Sequence, residues 1–197
     1  MAAWLSFGAY AAVLFGRSIF RRRHSHNIEF NANAKTNGLT EKPTLTEVSS
    51  KEIDFTQLLK FVAADTCGAV SSFLGVTRNH HDCKKVTRLE YEAHPQMAVE
   101  HINKICTRIR QKWDVHGIAV VHRTGLVPVG EASIAIAISS VHRVDSLEAT
   151  RFCIDEVKKT VPVWKKEFYA EQQDSAAQWK SNAESSTPKL GENVAHI

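Results

Sequence analysis

Two lysine pairs, Lys158-Lys159 and Lys165-Lys166, stand on either side of Val161-Pro162-Val163-Trp164. Lysine supplies either a fixed cation or, when its amine is neutral, a nucleophile. Just upstream, Ser139-Ser140-Val141-His142-Arg143 closes a strongly apolar run. Arg143 offers a planar fork for phosphate or carboxylate. His142 reads equally well as a general acid and as a hydrogen-bonded structural histidine. Convergence of the two segments would make a cationic pocket for an anionic substrate, suited to acyl or sulfur transfer. Arg78-Asn79-His80-His81 offers a further anion-binding arm, with a solvated loop as the plainer reading of its histidines. Adjacent histidines without a third spaced ligand are weak evidence for a metal site. The chain contains no Walker loop, no G-x-G-x-x-G and no G-x-S-x-G.

A helix expected from about Asp145 or Ser146 to Thr160, stopped by Pro162, would carry the first lysine pair. With Lys158 at zero on a wheel of about 100° per residue, Leu147, Ile154 and Val161 fall within roughly 60° of it. Arg151 sits roughly 20° to the other side. Lys158 therefore belongs to the margin of the apolar face, where a buried stem leaves the ammonium partly desolvated and favours the neutral, nucleophilic amine. Two plainer readings stand beside that one: lysines at such margins snorkel, and basic residues late in a helix meet its dipole favourably. Lys159, about 100° round the wheel, reads as an ordinary solvated charge. Pro162 redirects the chain, so that Lys165 or Lys166 can return toward the same pocket while Trp164 packs.

The elements that must hold these residues follow from periodicity. Phe55, Leu58, Leu59 and Val62 recur at helical spacing, with Asp54 or Thr56 as cap and Cys67-Gly68 after the end. Ala69–Thr77 reads as a strand. In Val86–Ala93, Leu89, Tyr91 and Ala93 take one face and Arg88, Glu90 and Glu92 the other. The eight-residue polar connection between these two strands suggests an antiparallel pair. Ala98, Ile102, Ile105, Cys106, Ile109 and Trp113 define an amphipathic helix, and Gly117–Arg123 the next strand. After a turn region from Gly125 to Gly130, Ala132–Val141 puts Ile134, Ile136 and Ile138 opposite Ala135, Ala137 and Ser139. A bulky face and a small face suit a central strand covered on both sides. This order of elements indicates α+β with a mainly antiparallel sheet.

The 197 residues, 43% of them hydrophobic, allow one ordinary domain plus tails. A net charge of +4 suits a small anionic ligand at least as well as nucleic acid, which usually demands a more concentrated basic stripe. Cys67, Cys83, Cys106 and Cys153 form no C-x-x-C pair, as expected of ordinary thiols in a reducing compartment. Residues 2–16 carry no charge and precede Arg17 and Arg21-Arg22-Arg23. This run is shorter than a comfortable membrane span and lacks the basic opening of a secretory signal. A targeting or anchor segment, a dispensable extension and a gene-model artefact all remain open readings of it. Asn31–Ser50 reads as a flexible linker. The expected division is an extension and linker over 1–50, a folded domain over 51–170 and a polar tail over 171–197, from which Trp179 is available to dock back.

In order along the chain, Gly68-Ala-Val, Phe73-Leu-Gly-Val-Thr-Arg-Asn, Leu89-Glu-Tyr-Glu-Ala, His122-Arg-Thr-Gly, Val127-Pro-Val-Gly-Glu, Ser140-Val-His-Arg and Lys158-x-x-x-Pro-Val-Trp-Lys-Lys-Glu resemble the catalytic (large) subunit of molybdopterin synthase. The resemblance implies an α/β hammerhead-like fold with an added antiparallel sheet. It also implies conversion of cyclic pyranopterin monophosphate to the molybdopterin dithiolene, without metal or redox cofactor. The sulfur donor would be the C-terminal Gly-Gly thiocarboxylate of a small ubiquitin-like subunit, in a heterotetramer built on a central dimer of large subunits. By motif position Lys158 becomes the principal catalytic lysine and Lys165 lies close to the thiocarboxylate. His142, Arg143, Lys166, Glu167 and Arg78 become substrate-pocket residues. His94 and Val163 depart from the residues common in the family without removing a role. A cytosolic location is implied, although the apolar N-terminus leaves membrane or organelle targeting open. The competing reading is a basic RNA- or anionic-lipid-binding module built on residues 17–23 and the lysine pairs. It lacks the interleaved aromatics on strands that single-strand binders use for stacking.

Overall fold

A computed structural model of the chain describes residues 42–81, 83–170, 177, 179 and 180. The apolar run at 2–16, the arginines that follow it and the linker as far as residue 41 lie outside the described residues.

The first sheet is built around two strands that are buried on both faces. β7 (Ala132–Ser140) lies between β5 (Val115–Arg123) and β2 (Ala69–Val76), antiparallel to both, and β1 (Thr44–Ser49) runs parallel to β5 on its other side. Ile134, Ile136 and Ile138 join Ile118 and Val120 in a core closed by helices α2 (Pro95–Lys112) and α3 (Arg143–Thr160). Ala135 and Ala137 join Ala119 and Val121 beneath α1 (Phe55–Val62) through Leu58 and Val62. The small residues let α1 sit close. Ser139 Oγ donates to the Val62 carbonyl at 2.6 Å and accepts from the Gly117 amide at 2.9 Å, so its buried hydroxyl is satisfied.

Helix ends follow local chemistry. Asp54 caps α1 by accepting from the Gln57 amide, and His94 does the same for α2 through Nδ1 and the Met97 amide, with Pro95 just inside. α3 begins at Arg143, ahead of the start expected at Asp145 or Ser146. The extra turn is supported from outside the helix: Ser140 Oγ accepts from the Ser146 amide at 3.1 Å and donates to the His142 carbonyl.

A second sheet is centred on β4 (Lys84–Ala93), which pairs with β8 (Val163–Tyr169), β6 (Gly125–Pro128) and β3 (His80–His81), while β9 (Trp179–Lys180) extends β8. The chain leaves β5 and enters this sheet as β6 through Gly125, whose φ of +73° is ordinary only for glycine. Arg123 holds the crossing, pairing with Glu131 at 2.6 Å and donating to the Leu126 carbonyl.

Four expectations change. β2 and β4 are not a hairpin: β2 pairs with β7, and the connection before β4 supplies β3 as the local partner. The turn region at 125–130 contains β6, too short for a period-2 signal. The tail expected from residue 171 supplies β9, which pairs with the strand β8, so Trp179 does return to the sheet. Finally, the sheet starts within the expected linker. In β1, Leu45 packs on the α1 side and Val48 on the opposite side, so a strand covered on both faces shows no alternation. Arg110 fastens its entry, donating to the carbonyls of Lys42 and Pro43 and to Thr44 Oγ1. All four cysteines are free thiols, and no helix among the described residues is long and apolar enough to cross a membrane.

Two stability predictions follow from these strands. A Cβ on Gly117 would meet Val62 Cα at 2.8 Å and the Val62 carbonyl oxygen at 2.9 Å. Gly117→Ala is therefore expected to cost about 2 kcal/mol, read as a lower urea midpoint at unchanged slope. His122, buried in β5, titrates near 6.5 when unfolded, and burial holds it down to about 4 when folded. The unfolded chain takes the proton first, so this contribution is complete above pH 6.5 and is lost as pH falls toward 4, about 3 kcal/mol in all. Urea unfolding of wild type and His122→Gln from pH 7.5 to 4 should diverge by that slope; parallel curves would contradict it.

Candidate active site

Between the two sheets, under the last turns of α3, lies a cavity of about 500 Å³. α3 covers the isoleucine face of the first sheet, and its register brings Ile154, Val157 and Lys158 to the wall. Lys158 is half-buried and Lys159 exposed, as margin and polar-face positions require. The wheel is corrected at two points. Leu147 is 57% exposed, and Arg151 faces solvent, 3.9 Å from Asp155. Neither contributes to the cavity.

β8 forms the opposite wall. Its alternation turns Val163, Lys165 and Glu167 into the cavity, beside Leu89 and Tyr91 from β4. Glu167 is only 5% exposed, and a buried carboxylate needs partners. Oε1 lies 3.1 Å from Lys165 Nζ and Oε2 accepts the Tyr169 hydroxyl proton. Lys165 is thereby held by a charge-assisted contact at the cavity wall. Arg78, His80 and His81 line the mouth, so the histidines read as solvated loop residues belong to the cavity edge.

Of the seven residues singled out from sequence, Lys158, Lys165, Glu167 and Arg78 meet in this one cavity. Lys166 does not. It occupies the other face of β8, with its ammonium over the rings of Phe168, at 5.4 Å, and Trp179, at 5.7 Å. His142 and Arg143 do not reach it either. They are exposed at the start of α3, and the fifteen steps from Arg143 to Lys158 span roughly 22 Å of helix. A strand end and a helix end that are close in sequence have been carried to opposite ends of one rod.

The floor holds residues that were not singled out. His122 is 7% exposed, its Nδ1 donating to the Arg123 carbonyl at 3.0 Å. The edge of Tyr91 meets its ring at a centroid distance of 5.3 Å. Burial raises the Tyr91 phenol above its ordinary value; a hydrogen bond with Ser133 opposes this and the Glu167 charge adds to it. The signal for His122 was a histidine inside a strand otherwise made of buried apolar residues. Among the described residues, no group of three His, Cys, Asp or Glu side chains is placed to hold a metal ion. The arrangement binds anions through fixed cations over an apolar and neutral-polar floor, and it presents a half-buried amine to what is bound.

Residues 48–160 match the MoaE protein family. A molybdopterin synthase catalytic subunit of Rattus norvegicus is 51% identical over 145 residues, 73% of this chain and 71% of the rat protein. Among solved structures, molybdopterin synthase from Staphylococcus aureus matches with a TM-score of 0.63 at 32% identity, over 68% of this chain and 95% of that one. The fold also recurs in the complex of subunits 1 and 2 of molybdopterin-converting factor from Helicobacter pylori, with a TM-score of 0.52 and 21% identity over 66% and 91% of the two chains. The cavity and its lysines thus sit on a fold and a sequence that agree with one another, and the chain belongs to the MoaE family.

Proposed function

We propose that this chain is the catalytic subunit of a molybdopterin synthase, moving sulfur from the thiocarboxylated C-terminus of a small ubiquitin-like subunit onto cyclic pyranopterin monophosphate to form the dithiolene. The observation that carries this reading is one cavity in which Lys158 and Lys165, from different elements, face each other's space beside Arg78. Both reactants are anions. Bringing them together in water costs repulsion, and fixed cations in a partly dry cavity remove it. Lys158 is the principal catalytic lysine. Lys165 steers the thiocarboxylate, and Glu167 positions Lys165 through the 3.1 Å contact while Tyr169 occupies its other oxygen. Arg78 gathers the phosphate at the mouth. Lys166 supports the outer face of β8 instead of touching substrate. The cytosol is the proposed location, which suits four free thiols.

His142 and Arg143 keep a substrate-binding role only in the cavity of a second copy, because their own is a helix length away. The central homodimer of large subunits, with a small subunit at each end, supplies that copy. A symmetric pair then has two sites, each with Lys158 from one chain and Arg143 from the other.

Lys158→Ala is expected to abolish dithiolene formation with thiocarboxylated partner and precursor supplied, while thermal midpoint and small-subunit binding stay close to wild type. Full turnover by that variant would remove Lys158 from the chemistry. Co-expression of Lys158→Ala with Arg143→Ala chains tests the shared site. Half of randomly formed dimers would then contain one intact site, restoring about a quarter of wild-type turnover. Activity no higher than that of the two parents would place both residues at separate tasks.

A further inference from the structure

The cavity is chemically divided. Its cations, Arg78, Lys158 and Lys165, lie along the mouth and walls, with the buried Glu167 carboxylate held against Lys165, whereas His122, Tyr91 and Ser133 form an uncharged floor. His122 Nδ1 faces a carbonyl oxygen, which can only accept, so that nitrogen carries the ring proton. In the neutral ring Nε2 is then a lone-pair acceptor. It makes no hydrogen bond with any described residue, although the side chain is 7% exposed and borders the cavity. Nε2 is not among the buried unpartnered atoms of the described residues, so it opens on the cavity, where a ligand N–H can take the place of water. Burial also keeps the imidazole neutral at physiological pH. No cation stands at this corner to hold an anion, whereas Nε2 offers a lone pair to an N–H group. Around the corner stand Phe73, Leu89, Ile134 and Val157, surfaces suited to the faces of a flat ring.

We propose that His122 Nε2 accepts a hydrogen bond from a ring or amino N–H of the substrate's heterocycle, so that the neutral floor selects a nitrogen-rich ring while the cationic mouth holds its phosphate. This rests on the pterin-phosphate reading above and assigns the ring's end of the cavity. His122 is a specificity residue here: it touches the ring, not the atoms that receive sulfur.

The test uses the full chain assembled with thiocarboxylated small subunit, inhibited by two probes: an unphosphorylated pterin and inorganic phosphate. His122→Phe removes the acceptor and keeps a flat ring. It should raise the inhibition constant of the pterin, and KM for the precursor, about tenfold, the loss of one hydrogen bond. Inhibition by phosphate should stay within about twofold, because the phosphate end does not use His122. His122→Gln, whose amide oxygen is again an acceptor, should recover part of the loss. A purely structural role would weaken both probes together, and that result overturns the proposal, as does an unchanged pterin constant. Should His122→Phe not fold, the wild-type enzyme decides with pterins methylated one nitrogen at a time. At least one methyl should weaken inhibition about tenfold, and uniform inhibition by the whole series overturns the proposal. Absence of precursor turnover by wild type would overturn the functional reading and this proposal with it. Turnover by wild type with indifferent variants and analogues overturns the proposal alone.

Discussion

Burial of β5 and β7 on both faces is the constraint from which the site follows. A strand covered on one side needs a single helical layer; these two need one on each side, and their residue sizes decide which helix goes where. Isoleucines at 134, 136 and 138 demand the broad cover of α2 and α3, whereas alanines at 135 and 137 admit only the close approach of α1. Once α3 lies along the isoleucine face, its final turn reaches the edge where the second sheet begins. Lys158 is carried there by the same packing that buries Ile154 and Val157 beside it. Position and partial desolvation of that amine are thus consequences of core packing.

The second sheet supplies what the first cannot. Every other residue of β8 enters the cavity, so Lys165 and Glu167 act on one side and Lys166 and Phe168 build the other. A lysine pair in sequence is therefore a division of labour in space. Glu167 gives the arrangement its economy: a carboxylate this deeply buried would be costly alone, yet it fixes Lys165 and is itself satisfied by Tyr169. The net effect is a cation with restricted freedom, which loses less entropy on meeting a charged reactant. Arg123 and Glu131, paired where the chain crosses between sheets, keep the two walls in register.

Electrostatics within the cavity are graded. Arg78 stands where solvent can screen it, the buried charge of Glu167 is paired with Lys165, and neutral groups line the floor, where an unpaired charge would be most expensive. Burial, opposed by the hydrogen bond to the Arg123 carbonyl, keeps His122 neutral to lower pH, and burial raises the already neutral Tyr91 phenol further, with Ser133 and Glu167 making smaller adjustments. A cavity graded in this way suits a ligand with an anionic end and an uncharged polar ring better than it suits a uniformly charged polymer, which tells against the basic binding-module reading.

Much of this was legible in the residues taken by themselves. Periodicity located α1, α2, α3, β2, β4, β5 and β7, because each repeats a local pattern of burial. The margin position of Lys158 followed from the wheel, and the two faces of β7 from alternating side-chain size. Motif order identified the family and most of the cavity's cations. Pairing, distance and the second face were decided by tertiary structure. β1 and β6 were hidden because short or doubly covered strands have no period to read. β2 found β7, not β4, because strand partners are chosen by long-range packing that a short connection does not encode. His142 and Arg143 looked like neighbours of the lysines until a straight helix stood between them. A linear sequence records which residues are buried and how often; only the folded chain decides which buried residues meet.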